Sequence, residues 1–226
     1  MPFPSNSPVR PIIFSPEMIR LIQAGEKTQT RRVVTPLPQH VLRVDTSSPR
    51  IALTARVREA DKPQRIHCPH TVGDVLWIRE SWTATFRSTG LEDAHWSVAR
   101  RADRTERQCT SIQYEADTER PHQSGEWVSP IFMPRWAARL AIHIERVRVE
   151  PLQDMSAFDV GDEGLLHQSV AGTLPNADSH PTGEQTNLEP AHLAFRARWN
   201  AIHSETTHKW ASNPWVWVFH FTPGSL

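Results

Sequence analysis

A lysine, a threonine and two arginines lie within six consecutive positions near the start of the chain. Lys27 is one of only three lysines among 25 basic residues, and it shortly precedes Thr30, Arg31 and Arg32. Neighbouring cations and partial burial both disfavour an ammonium ion, so they lower the pKa of a lysine. A neutral lysine can take the proton of a nearby hydroxyl and turn it into a nucleophile. The segment therefore indicates acyl transfer, although a polar surface turn would carry the same residue types.

Regular elements on both sides are expected to hold this segment in place. The β-branched run at 11–14 predicts a short strand. A helix is expected to follow, with Ser15 as the N-cap, Pro16 at the first helical position and Gly25 just past the end. The polar run from 26 to 34 ends in two valines, which predicts a turn that enters a strand.

A second acidic candidate lies in a strand predicted from Val75 to Trp82. A period of two places Glu80 on the same face as Leu76 and Ile78, so we expect its carboxyl group to point inward. A buried carboxylate needs a partner or takes a raised pKa. Glu80 is therefore either a rival acid, with Trp82 as a stacking surface near it, or a structural carboxylate paired with an arginine.

Further along the chain, two predicted helices lie between two predicted strands. We expect strands over 140–149 and 215–221 and helices over 154–166 and 190–203. The last strand is apolar on both faces except at His220, which is typical of a central strand.

These elements predict a mixed α+β fold built on one curled sheet or small barrel. The length of 226 residues is consistent with a single domain over 1–226. Three segments are expected to be inserted loops: 35–70, with a strand or short hairpin near 50–58, then 88–125 and 167–190.

The composition argues against several classes of protein. No run approaches the ~18 apolar residues that a membrane helix needs, and the start lacks the pattern of a signal peptide. We therefore expect a cytoplasmic protein.

Cys68 and Cys109 are expected to be free thiols, and the His67–His70 cluster lacks a second ligand pair for zinc. We expect no metal and no cofactor.

Several segments resemble the ASCH family, relatives of the PUA domain. The resemblance rests on Gly25–Arg32, on the Gly73–Asp74 turn that leads into Leu76–Glu80, and on the closing strand Trp215–Phe221. The motifs Met133-Pro134-Arg135-Trp136 and Asn213–Val218 are similar to a longer subgroup of bacterial and prophage proteins. The resemblance implies a small PUA-like β-barrel with flanking helices and a cleft that opens on the lysine–threonine turn.

The resemblance also implies an activity. Short members of the family include a bacterial amidohydrolase that removes the acetyl group from 4-acetylcytidine. Its turn lysine is taken as the base, the second threonine as the nucleophile and a glutamate of a later helix as the proton donor. These roles fall on Lys27, Thr30 and Glu163 here, and Arg31, Arg32 or a backbone amide would hold the oxyanion.

Two other functions remain open at this stage. Arginine supplies 22 of the 25 basic residues and there are nine tryptophans, a combination that suits phosphates and bases but that a GC-rich genome also produces. A PUA-like RNA- or DNA-binding module, with or without ribonuclease activity, would use Lys27, Arg31, Arg32 and Arg135 on phosphates and Trp82 or Trp136 on a base. The third alternative is a phage-associated accessory protein without catalysis. The expected partner is thus a modified nucleoside or RNA or DNA, and the net charge of zero argues mildly against tight nonspecific binding.

Overall fold

The computed structural model describes residues 10–86, 109–118, 127–165 and 189–226. Within these ranges there are ten strands and three α-helices, joined by turns and short 3-10 segments. The strands are β1 (Arg10–Ile13), β2 (Gln29–Val33), β3 (His40–Asp45), β4 (Ala52–Arg56), β5 (Gln64–His67), β6 (Val75–Arg79), β7 (Trp82–Phe86), β8 (Cys109–Tyr114), β9 (Leu140–Pro151) and β10 (Trp215–Ser225). The helices are α1 (Pro16–Gln23), α2 (Ala157–Asp162) and α3 (Glu189–Ile202).

The chain divides into two compact units, and each is assembled from separate segments. The first unit comprises residues 1–25, 73–143 and 222–226, and the second comprises 26–72 and 144–221. The single domain expected over 1–226 stays a prediction.

The first unit contains the parallel pair β1–β6, and β6 also pairs antiparallel with the start of β9. Its helix α1 begins as predicted, because the Ser15 side chain accepts a hydrogen bond from the amide of Met18 and Pro16 occupies the first turn. A separate hairpin joins β7 to β8. The strand predicted over 75–82 is interrupted at Glu80 and Ser81, where β6 has ended and β7 has not begun.

The second unit contains the antiparallel pair β2–β10, and α2 and α3 pack on one of its faces. The apolar core of this face combines side chains of both helices, of β10 and of the segments that flank α2: Leu152, Met155, Val160, Leu165, Phe195, Trp199, Val216 and Val218. Residues 215–221 of β10 are largely buried, with His220 more exposed than its neighbours, as the sequence predicts for a central strand.

The mixed α+β class is confirmed, whereas the predicted small barrel is wrong for the described residues, where no sheet closes on itself. The helix expected over 154–166 is shorter, because α2 ends at Asp162. None of the helices in these ranges is both long and apolar enough to cross a membrane.

The strand predicted near 50–58 is confirmed as β4, but the inserted segments contain more strands than the predicted loops. Residues 40–67 form a three-stranded antiparallel sheet, β3–β4–β5. The pairing shifts between Val41 and Arg43, and this irregularity breaks the alternation by which β3 would be recognised in the sequence. Strand β8 lies in the segment 88–125, of which the remainder falls mostly outside the described residues. The segment 167–190 also lies outside them, apart from the first residues of α3.

Candidate functional site

The short helix α2 is fixed at both ends by its own sequence. At the start, Ser156 and Asp159 form a capping box, in which each side chain accepts a hydrogen bond from the backbone amide of the other residue. At the end, Gly164 adopts a φ of 84°, and the amides of Gly164 and Leu165 donate to the carbonyls of Gly161 and Val160. This is a Schellman motif, which requires a left-handed residue at the position of Gly164.

These caps set the direction of two carboxylates. Asp159 and Glu163 are four residues apart, so they lie on the same face of the helical turn. The backbone beside Glu163 also joins the segment that precedes β2, because the amide of Thr28 donates to the carbonyl of Asp162 over 2.8 Å. Both carboxylates consequently face the side chains of the residues around β2.

Lys27 and Glu163 form a buried pair. Lys27 Nζ lies 2.5 Å from Glu163 Oε2 and 3.2 Å from the main-chain oxygen of the same residue. The side chains are 1% and 8% exposed. Burial lowers the pKa of Lys27, and the charges of Arg32 and Arg198 add to this effect, while the carboxylate of Glu163 opposes it. The amine therefore loses its proton more readily than an ordinary lysine.

Arg31 connects this pair to further carboxylates. One guanidinium nitrogen is 3.1 Å from Glu163 Oε1, and the other is 3.1 Å from Glu150 Oε1 and 3.5 Å from Asp159 Oδ1. The plane of Arg31 also lies over the ring of Phe195 at 5.9 Å. Six charged residues thus form one network, which we call the ion cluster: Lys27, Arg31, Arg148, Glu150, Asp159 and Glu163.

The ion cluster has three cations and three carboxylates. The exposed fraction of its side chains rises from Lys27 at the inner end to Arg148 at the outer end. Arg148 binds Asp159 Oδ1 over 2.6 Å, and its side chain is 33% exposed. Glu150 is 19% exposed. Burial alone would raise the pKa of Asp159, but hydrogen bonds from Ser156 and the charges of Arg148 and Arg31 lower it overall. The Lys27–Glu163 pair is therefore the inner end of a charged path that reaches solvent at Arg148.

Thr30 does not lie beside the pair. Gln29 and Arg31 both contact the carboxyl group of Asp159. Because side chains of a strand alternate, Thr30 between them points to the opposite face of β2, the face it shares with Phe219 of β10. Thr30 is 2% exposed. The structure thus brings Lys27, Arg31 and Glu163 together, and Thr30 lies behind them. Its role as nucleophile stays a prediction.

Arg32 is half-buried and follows Arg31 in β2. Burial lowers its pKa, and the charge of Glu163 opposes this shift.

Glu80 belongs to a different network in the first unit. It is buried, as the alternation predicts, and both of its carboxylate oxygens accept hydrogen bonds of 2.9 Å from Arg139. Arg139 also binds Asp117 and lies over the ring of Tyr114 at 3.9 Å. Burial raises the pKa of Glu80, and Arg139 opposes the rise. Two roles were predicted for Glu80, and this geometry favours the structural carboxylate paired with an arginine over the rival acid.

The two candidate tryptophans pack against each other. The rings of Trp82 and Trp136 are 6.0 Å apart at an interplanar angle of 89°. Trp82 is buried in a small apolar cluster with Met133 and Ala137, so its faces are covered. Arg135 is exposed and begins a 3-10 turn.

Three members of the ion cluster were not predicted from the sequence: Arg148, Glu150 and Asp159. A signal for Asp159 was present, because Ser156-x-x-Asp159 fits a capping box and Asp159 precedes Glu163 by one helical turn. Arg148 and Glu150 have the spacing of residues on one strand face, but nothing local assigns that face to α2.

Among the described residues, no group of three or more His, Cys, Asp or Glu side chains is arranged to hold a metal ion. Cys68 is buried and Cys109 is half-buried, and the two do not form a disulfide bond with each other. Comparisons with protein-family models, curated proteins and solved structures found no match.

Proposed function

We propose that the protein is an amidohydrolase that acts on an acylated nucleoside, such as 4-acetylcytidine. The observation that carries the proposal is the 2.5 Å contact between Lys27 Nζ and Glu163 Oε2. These are the residues to which the ASCH resemblance assigns the base and the proton donor. A buried ion network alone is equally typical of a structural role, so the match between the contact and those roles is what favours catalysis.

The pair can supply both proton transfers of amide hydrolysis. In this mechanism the pair reacts as a neutral amine and a carboxylic acid, and burial of Lys27 favours the neutral amine. Lys27 takes the proton of the nucleophile as the nucleophile's oxygen forms a bond to the acyl carbon. Glu163 then protonates the nitrogen of the cytosine amine as the carbon–nitrogen bond breaks. A proton moving from Lys27 to Glu163 restores the starting state.

Water is the nucleophile that this arrangement favours, because Thr30 and the pair lie on opposite faces of β2. Attack by water releases the acyl group directly as a carboxylic acid, and no covalent intermediate is required. In the threonine mechanism the acyl group would first be transferred to Thr30 and then hydrolysed.

A donor for the oxyanion is also available. Arg31 Nε is buried, and in the described part of the chain it has no hydrogen-bond partner. The other two guanidinium nitrogens are fixed by carboxylates, which hold the group in position. A fixed donor with an unused N–H is suited to the negative oxygen that develops on the acyl carbon.

The test is release of cytidine from 4-acetylcytidine by the purified full chain, followed by chromatography. Lys27→Arg retains a positive charge but not a neutral base, and Glu163→Gln removes the acid. We expect each to lower kcat/KM about 100-fold or more, the contribution typical of general acid–base catalysis. Lys209→Arg, at an exposed lysine, is the matched control and should retain full activity. Absence of turnover by the wild type, or variants as active as the control, would refute the proposal. Circular dichroism verifies that each variant is folded.

A further inference from the structure

One face of the β3–β4–β5 sheet gathers basic side chains. The register places His40 opposite Arg56, and it places both Arg43 and Arg65 opposite Thr54. Directly opposed residues share a face, and Thr54 and Arg56 share one because they are two positions apart on a strand. His40, Arg43, Arg56 and Arg65 therefore lie on the same face, and all four are exposed.

The other face of this sheet is apolar. Leu53 and Ala55 of β4 are fully buried, and Leu53 is opposed by Val44 on one side and Ile66 on the other. The side chains of β4 thus alternate between an apolar face, buried at Leu53 and Ala55, and a solvent-facing basic face. We call the second one the basic face.

Most of the positive charge on the basic face is not neutralised within the structure. The carboxylate of Asp45, on the same face, is bound by Arg65 over 2.6 Å and by Ser47. Arg43 and Arg56 have no ion pair or side-chain hydrogen bond in the described ranges. Two guanidinium groups are consequently available to an anionic partner.

A groove with an aromatic wall adjoins one end of the basic face. It has a volume of about 560 Å³, and its lining includes His40, Leu42, Arg56, Glu59 and Trp215. Trp215 is half-buried and is the aromatic residue of this lining besides the imidazole of His40. Glu59 contributes a single carboxylate to a lining that also carries Arg56.

We propose that the basic face and this groove bind single-stranded nucleic acid, with phosphates on Arg43 and Arg56 and a base against Trp215. Arginine forks match phosphate geometry, and a basic surface next to an aromatic ring is the combination that single strands use. The proposal concerns a surface other than the ion cluster, and it does not depend on the proposed hydrolase activity.

The experiment measures fluorescence anisotropy of a labelled single-stranded RNA of about 12 nucleotides, a length in the range one such module covers. The full chain is titrated at several salt concentrations. We expect the logarithm of the affinity to fall linearly with the logarithm of salt concentration. The double variant Arg43→Gln/Arg56→Gln should weaken binding about tenfold or more and reduce the slope by roughly 1.4, about 0.7 for each phosphate contact on a single strand.

The matched control is Arg196→Gln/Lys209→Gln, which removes two exposed positive charges from α3 and the segment after it. The proposal predicts that this control changes the affinity and the slope much less than the basic-face variant. Equal effects of the two double variants, a salt-independent affinity, or binding only to heparin or anionic lipid vesicles and not to RNA would overturn it. Trp215→Leu, if folded, should weaken binding without changing the salt slope.

Discussion

Lys27 Nζ lies 2.5 Å from Glu163 Oε2, although 136 positions separate the two residues in the sequence. The contact joins a residue two positions before β2 to the residue that follows α2, and the backbones of the two residues also form an antiparallel bridge. Because both side chains are buried, the charge of Lys27 is compensated mainly by Glu163, and the charge of Glu163 by Lys27 and Arg31. The stability of this region and the ionisation of Lys27 are therefore coupled.

Glu163→Gln should destabilise the protein by about 3–5 kcal/mol, because it leaves the buried amine of Lys27 without its carboxylate and removes one of the three carboxylates around Arg31. Urea unfolding at pH 7 measures this loss. Glu205→Gln, at an exposed glutamate, is the control and should change the free energy of unfolding by less than about 0.5 kcal/mol.

The double variant Lys27→Met/Glu163→Leu tests the coupling between the two residues. Its cost should be clearly smaller than the sum of the two single costs, because no unpaired charge from the pair is then buried. Additive costs would show that the two groups do not interact.

Thr30→Ala should retain activity on 4-acetylcytidine within a few-fold of the wild type if water is the nucleophile. The reason is geometric, because the Thr30 side chain and the Lys27–Glu163 pair lie on opposite faces of β2. The measurement is kcat/KM for the wild type, Thr30→Ala and Thr30→Ser. Loss of activity in the alanine variant with recovery in the serine variant would instead establish the threonine hydroxyl as the nucleophile.

The sequence predicts well those elements that have local signals. The cap at Ser15, the turn at Gly25 and the buried strand β10 all follow from residue types within a few positions. Strand β3 was missed because a pairing shift after Val41 disrupts its period of two. The sheet arrangement could not be derived in this way, since it depends on which distant strands pair.

The residues of the candidate site also divide into those that the sequence predicts and those that depend on the pairing of distant elements. The resemblance predicts Lys27 and Glu163 in one site, and the two side chains are in contact, whereas Arg148 and Glu150 join them only through the pairing of distant elements. The three-residue spacing between Lys27 and Thr30 does not by itself place their side chains together. Residues three apart share a face on a helix but point in opposite directions on an extended strand. Whether Lys27 and Thr30 can meet therefore depends on the local conformation, which is extended here.

His220 should make stability depend on pH between about 6.5 and 4. Burial lowers its pKa to about 4, and the charges of Arg146 and Arg148 contribute. In this window the unfolded chain binds a proton that the folded protein does not, so stability falls as the pH falls. The 2.5-unit difference corresponds to about 3 kcal/mol. Urea unfolding from pH 7 to pH 4 should show a flatter profile for His220→Gln than for the wild type. The exposed-site variant His40→Gln is the control, and an identical profile for His220→Gln and the wild type would contradict the prediction.

Arg139→Gln should destabilise the first unit in a way that depends on pH. Arg139 donates to both oxygens of Glu80, whose pKa is already raised by burial, so loss of the guanidinium raises that pKa further. At a pH above this pKa, the carboxylate of Glu80 in the variant is buried without a partner. We expect the free energy of unfolding to fall by about 3–5 kcal/mol at pH 8. As the pH falls towards 5, the folded state binds a proton that the unfolded state still lacks, so the loss should shrink.

The double variant Glu80→Gln/Arg139→Gln is the control for this effect, because it removes the ionisable group and leaves Asp117 and Tyr114 in place. Its cost should vary little between pH 5 and pH 8. A cost of Arg139→Gln that is the same at both pH values would mean that Glu80 is not the group that Arg139 neutralises, and the contacts with Asp117 or Tyr114 would then account for the loss.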